Sequence, residues 1–116
     1  GEAQMTLQPP PETPAREERT IAARSSFQGA KVATLNPATA DESGLDPFTR
    51  GVLILAVAPD SPAAREGLRA GDLILEVSGE PVASASALEG RLRGDGRRGP
   101  VILQRGDRRL TATLFL

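Results

Sequence analysis

Apolar residues fall in short runs along this chain, and the breaks between the runs carry turn-forming residues. Val52 to Val57 is apolar and rich in β-branched residues, the pattern of a buried strand. Leu73-Ile-Leu-Glu-Val77 repeats that character, and Lys31-Val-Ala-Thr-Leu35 alternates. Val101 to Gln104 and Arg109 to Phe115 predict two further strands joined by the hairpin turn Arg105-Gly-Asp-Arg108. Between the strands the spacing predicts three helical pieces. Asn36 caps one that starts at Pro37 and runs to about Ser43, with Gly44 as its stop. Ser61 caps a second at Pro62, and Gly67 ends it where a left-handed residue is wanted. A third runs from about Ser84 to Arg93. Ser84 is one candidate cap, and Ser86 with Glu89 forms a competing capping-box pattern. Gly71-Asp72 turns into the Leu73 strand, and Ser78-Gly79 ends it.

The first 25 residues differ. Met5-Thr6-Leu7 reads as the end of a strand, Gln8-Pro-Pro-Pro-Glu-Thr-Pro14 as a stiff solvated spacer, and Ala15-Arg-Glu-Glu-Arg19 as a mixed charge run. Residues 1–25 are therefore expected to be a linker with a remnant of a preceding strand, and residues 26–116 a folded domain. At 116 residues the chain predicts one domain.

Composition narrows the chemistry. There is no cysteine, which removes disulfides, thiolate catalysis and Cys-ligated zinc, and no histidine, which removes a Ser-His-Asp triad within these residues. Net charge is −1, so no overall field attracts nucleic acid, and only Phe27, Phe48 and Phe115 are available to stack on bases. No apolar run is long enough to cross a bilayer, so no membrane insertion is expected. No signal peptide is present, and the signal of an exported parent would lie outside this piece. Asp41, Glu42 and Asp46 lack the spacing of a calcium loop, and no metal or cofactor is expected. Arg105-Gly106-Asp107 is sufficiently explained as a turn. Arg91, Arg93, Arg97 and Arg98 form a basic group that reads as a solvated turn or as a docking patch for an acidic surface.

The run from Gly51 to Val82, with Ser-Pro-Ala-Ala at 61–64, Gly67-Leu68, Gly71-Asp72 and Gly79-Glu-Pro-Val82, resembles the heart of a PDZ domain. The glycine loop and strand come first and the last strand sits at the C-terminus. That order resembles the permuted PDZ domains of bacterial Deg/HtrA serine proteases, over about Ser26 to Leu116. With the Pro-rich linker ahead of it, the chain is similar to the second, C-terminal PDZ domain of such a protease. The implied fold is α/β of the α+β type: a bent, mostly antiparallel sheet of about five strands with two main helices. The implied location is the periplasm. Implied partners are C-terminal or extended peptides of unfolded proteins, bound weakly, and other domains or subunits of the parent protease, with a role in substrate recognition, regulation or oligomer assembly. A PDZ domain of another envelope protein stays open, such as a site-2 protease, a C-terminal-processing protease or a secretion-system subunit.

In that family a peptide adds a strand to a sheet edge, and backbone amides of a glycine loop hold its carboxylate. The resemblance carries the loop to Phe27, Gln28, Gly29 and Ala30, and the pairing strand to Lys31, Val32, Ala33 and Thr34. It carries the opposite wall to Ala85, Glu89 and Leu92, spaced i, i+4, i+7 on one helix face, with Leu88 in the core. An open sheet border beside a free amide cradle is expected. Gln28 and Ala30 stand where the family usually has aliphatic residues, and Glu89 would repel a carboxylate. Binding of ordinary C-terminal peptides is therefore expected on the order of hundreds of micromolar or weaker.

Overall fold

The computed structural model describes residues 17–42, 44–45, 49–92 and 97–116. The expected strand at Met5-Thr6-Leu7 and the Pro-rich spacer lie outside them, as do Asp46, Phe48 and Arg93. Ten elements follow in chain order: β1 (Arg19–Thr20), β2 (Ala30–Thr34), α1 (Pro37–Glu42), β3 (Val52–Val57), α2 (Pro62–Arg65), β4 (Leu73–Val77), β5 (Glu80–Pro81), α3 (Ala85–Arg91), β6 (Arg98–Arg105) and β7 (Arg108–Phe115). The strands form one sheet in the order β1-β2-β3-β4-β6-β7, with β5 hanging off β4, and the pairings are antiparallel. The five long strands are those the apolar runs predict. β1 and β5, two residues each, are additional, and the helices number three, all short. Among the described residues no helix is long and apolar enough to cross a membrane.

Strand periodicity splits the core. Val52 and Ile54 of β3 enter one buried cluster with Val32, Ala85 and Leu88, while Leu53 joins a second with Leu35, Ala40 and Leu73. In β4 the first cluster takes Ile74 and Val77, three apart instead of two. A register shift between Ile74 and Glu76 supplies the extra residue and reverses the phase. A second irregularity between Lys31 and Val32 breaks the register of β2 against β3.

Local chemistry places the helix ends. Ser61 accepts from the Ala64 amide (3.2 Å), and Gly67 and Leu68 close α2 on the carbonyls of Ala64 and Ala63. The Gly44 and Leu45 amides close α1 in the same way on Asp41 and Ala40. Ser84 caps α3 by accepting from the Ala87 amide (3.0 Å), which settles the choice between the two candidate caps.

The chain ahead of residue 26 differs most from expectation. The sequence places residues 17–25 in the linker, yet Arg19–Thr20 pair with β2, Ile21 is 1% exposed, and Ser25 is buried. The charge run Arg-Glu-Glu-Arg masks this signal. Only Thr20-Ile21 are β-branched, and tertiary partners, described below, order the segment.

Candidate functional site

The site grows from the turn that follows β3. Ala58 N–H donates to the Gly29 carbonyl (2.9 Å) and Ala63 N–H to the Gln28 carbonyl (3.1 Å), so the loop 27–30 is bolted to the Pro59-to-Ala63 turn. Gly29 sits at φ +94°, and a Cβ there would lie 2.3 Å from the Ser61 Cβ. The glycine is thus required by the fold's own packing. Phe27 is fully buried and anchors the loop below.

The loop amides are not an open cradle. Gln28 N–H donates to the Ser25 carbonyl (3.1 Å), Gly29 N–H to the Ile21 carbonyl (2.9 Å), and Ala30 N–H to the Phe27 carbonyl (3.0 Å). Nor is the sheet border open. β2 lies between β3 and β1, with Arg19 opposite Val32 and Thr20 opposite Lys31, and Ile21 N–H donates to the Ala30 carbonyl (2.8 Å). The expectation of a free edge is corrected on this point: the chain's own residues 17–21 occupy it.

Those residues bridge β2 to α3. The buried Thr34 hydroxyl accepts from the Ala85 amide (2.8 Å) and donates to Glu17 Oε1 (2.9 Å), linking the end of β2 to the start of α3. Ser86 adds its hydroxyl to Glu17 (3.3 Å). The Thr34 hydroxyl foremost, with the Ser86 donors and the nearby Arg19 charge, holds the Glu17 carboxyl below its ordinary pKa. Arg19 Nη1 meets Glu89 Oε1 at 2.6 Å, with both side chains partly exposed. On the alternate position, Glu18 reaches Lys31 (3.6 Å). Ile21 joins the buried cluster that contains Phe27, Ala30, Val32, Ala85, Leu88 and Leu92.

The structure therefore gathers the loop Phe27–Ala30, the strand Lys31–Thr34, Ala85 and Glu89 of α3 and, just past the end of α3, the extended Leu92 about the segment 17–21. Glu89 is partnered by the Arg19 cation instead of facing a carboxylate. Glu17, Arg19, Ile21 and Ser86 were missed. The alternation Glu17-Arg19-Ile21, with two polar residues and one aliphatic residue on one face, is the signal that was available.

Two other signals resolve as structure. Asp72, 1% exposed, accepts both Nε (2.8 Å) and Nη2 (2.7 Å) of Arg105 and the Arg69 amide (2.9 Å). That fork, led by its hydrogen bonds, raises the Arg105 pKa and keeps the side chain folded back from the Gly106-Asp107 turn. In the basic group, Arg91 pairs with Glu80 and Arg98 stacks over Phe115, 4.4 Å from the ring centroid.

Residues 53–105 match the family model for the PDZ domain. A probable periplasmic serine endoprotease, DegP-like, of Halomonas elongata is 47% identical over 60 residues, covering 52% of this chain and 12% of that protein. The serine endoprotease DegS of Salmonella typhimurium is 32% identical over 99 residues, covering 83% of this chain and 27% of that protein. The chain thus spans between 12% and 27% of these two relatives' lengths. Among solved structures, the HtrA3 PDZ domain bound to a phage-derived ligand superposes with a TM-score of 0.66 at 28% identity, over 75% of this chain and 81% of that one. The HtrA-type protease AlgW with a decapeptide gives a TM-score of 0.64 at 27% identity, over 75% of this chain and 27% of that one.

Proposed function

We infer, for a chain that carries a PDZ domain homologous to those of the Deg/HtrA serine proteases, that it is the peptide- and protein-binding module of such an endopeptidase. It serves substrate recognition, regulation or assembly of the parent enzyme, which acts in the periplasm, the location in the name of the DegP-like relative. The groove between β2 and α3 is the binding site. Phe27, Gln28, Gly29 and Ala30 form its end, Lys31, Val32, Ala33 and Thr34 the strand that pairs with a ligand, and Ala85, Glu89 and Leu92 its far wall.

One observation carries this reading. An extended segment already lies antiparallel along β2, with its last carbonyl on the Gly29 amide and its last side chain buried. Main-chain pairing along β2 supplies affinity without regard to sequence, and alternate side chains supply choice. The phage-derived ligand bound to the HtrA3 PDZ domain and the decapeptide with AlgW support a peptide-binding role.

Titrating the 116-residue chain with extended peptides from unfolded proteins, followed by backbone amide NMR, tests it. Shifts are expected to concentrate at 29–34 and 85–92. Saturable shifts confined to another face, such as Arg98 and Phe115, would refute the placement.

A further inference from the structure

The strand in the groove is also a record of what the groove accepts. Three of its features are specific. Ile21 is buried, Arg19 two residues earlier sits on Glu89, and Glu17 two earlier again takes hydroxyls from Thr34 and Ser86. A fourth feature concerns the end of the groove. Of the loop amides at 28, 29 and 30, only Gly29 donates to the segment. Gln28 and Ala30 donate to Ser25 and Phe27, outside the segment. Withdrawing Ile21 therefore frees one donor, not three. One amide suits a peptide carbonyl, whereas a buried carboxylate needs several donors. The chain also continues past Ile21, so the groove demonstrably holds an internal strand.

We propose that this groove reads internal extended segments with a cationic residue two positions ahead of a buried aliphatic one, and that Glu17–Ile21 is its resident occupant, displaced when such a partner binds. This rests on the binding site assigned above. Glu89 is the residue that selects the cation. The partner's chemistry is that of an unfolded polypeptide carrying Arg or Lys, one residue, then Ile, Val or Leu. A resident strand lowers the apparent affinity for any partner by the fraction of time the groove stands empty. Substitutions that loosen the resident strand, while leaving the groove walls intact, must raise that affinity.

The test uses the full chain, the variants Ile21→Ala and Arg19→Glu, and the peptide Glu-Glu-Arg-Thr-Ile-Ala-Ala, acetylated, as free acid and as amide. Binding is read by fluorescence anisotropy, and folding of each variant by amide NMR. Folded Ile21→Ala is expected to bind at least about tenfold more tightly than the parent chain, and Arg19→Glu about two- to fivefold, because the competing strand loses a buried side chain in the first and one exposed ion pair in the second. Arg19→Glu keeps Ile21 and serves if Ile21→Ala fails to fold. Acid and amide are expected to bind alike. Replacing the peptide's Arg by Glu is expected to lower affinity about two- to fivefold, the scale of one exposed ion pair, and Glu89→Lys in the Arg19→Glu chain to reverse that preference.

Variants that bind no better than the parent would overturn the resident strand, and a free acid favoured over the amide by about tenfold would overturn internal-strand reading. Indifference to the peptide's charge, with or without Glu89→Lys, would overturn selection by Glu89. In these three cases a groove that still binds peptide leaves the assigned site standing. Failure of every extended peptide to shift residues 29–34 in the folded variants would instead remove that site itself.

Discussion

At the scale of single residues, most of the site's polar groups are committed to the fold. Gly29 is at φ +94° with no room for a Cβ. Gly29→Ala is expected to lower unfolding free energy by about 1–3 kcal/mol through backbone strain and the clash with Ser61, read by urea denaturation. Asp72→Ala removes the acceptor of the Arg105 fork and of the Arg69 amide. Because Arg105 is partly exposed, the expected loss is about 1–3 kcal/mol, short of a fully buried pair. Glu17 titrates below its ordinary value of 4.5. Its ionised form is favoured while docked, so its contribution is present above the ordinary carboxylate range and fades as pH falls through the lowered pKa. Arg19, Thr34 and Ser86 face it from β1, β2 and α3, while Glu18 and Glu89 are the neighbouring carboxylates. The protection factor of the Ile21 amide, its exchange referred to the intrinsic rate at each pH, is expected to fall on acidification below about pH 4.5, and Glu17→Gln to flatten that dependence.

At the scale of elements, what the sequence revealed and what it hid have different causes. β3, β4 and the caps of α2 were legible because local chemistry specifies them, through β-branched runs, Ser61-Pro62 and Gly67, whereas at α3 the sequence offers Ser84 and Ser86 as competing caps and only the fold chooses Ser84. The two-residue strands were not. β5 exists because Ser78 and Gly79, at φ 54° and 82°, make a tight turn that lays Glu80–Pro81 back on β4. β6 starts at Arg98, not at Val101, because β7 extends far enough to pair it, Arg98 opposite Phe115. At Gly99 a Cβ would lie 2.7 Å from the side-chain ends of Leu116 and Ser78, which would have to turn away to admit it. β1 depends on partners about 70 positions away at Ser86 and Glu89, a separation no local pattern encodes. The loop 27–30, strand 31–34 and helix 85–92 came from family resemblance. That resemblance said nothing of a resident strand. α3 has seven residues, too few to persist alone, and leans on its cap and its buried face. Ser84→Ala is expected to cost about 1 kcal/mol and to loosen the wall that holds Arg19, seen as lowered amide protection at Ala87 and Leu88.

At the scale of the whole molecule, the described residues form one sheet and three short helices, and the chain leading into the domain lies along β2, the strand we propose to accept partners. Such an arrangement couples the position of the preceding segment to the availability of the site, because pulling on residues ahead of Glu17 acts on the strand that blocks it. The 116 residues hold no histidine or cysteine, and the chain alone is expected to leave unfolded casein intact in a gel assay. The account turns on the residence of Glu17–Ile21 against β2. Native-state hydrogen exchange at two amides addresses it most directly: Ile21, which donates to the Ala30 carbonyl, and Gly29, which donates to the Ile21 carbonyl. The account predicts that both are slowed at least about 100-fold relative to an unstructured chain and open together, at a free energy below that of global unfolding. Exchange of both at the unstructured rate, with β2 and β3 still protected, would contradict it.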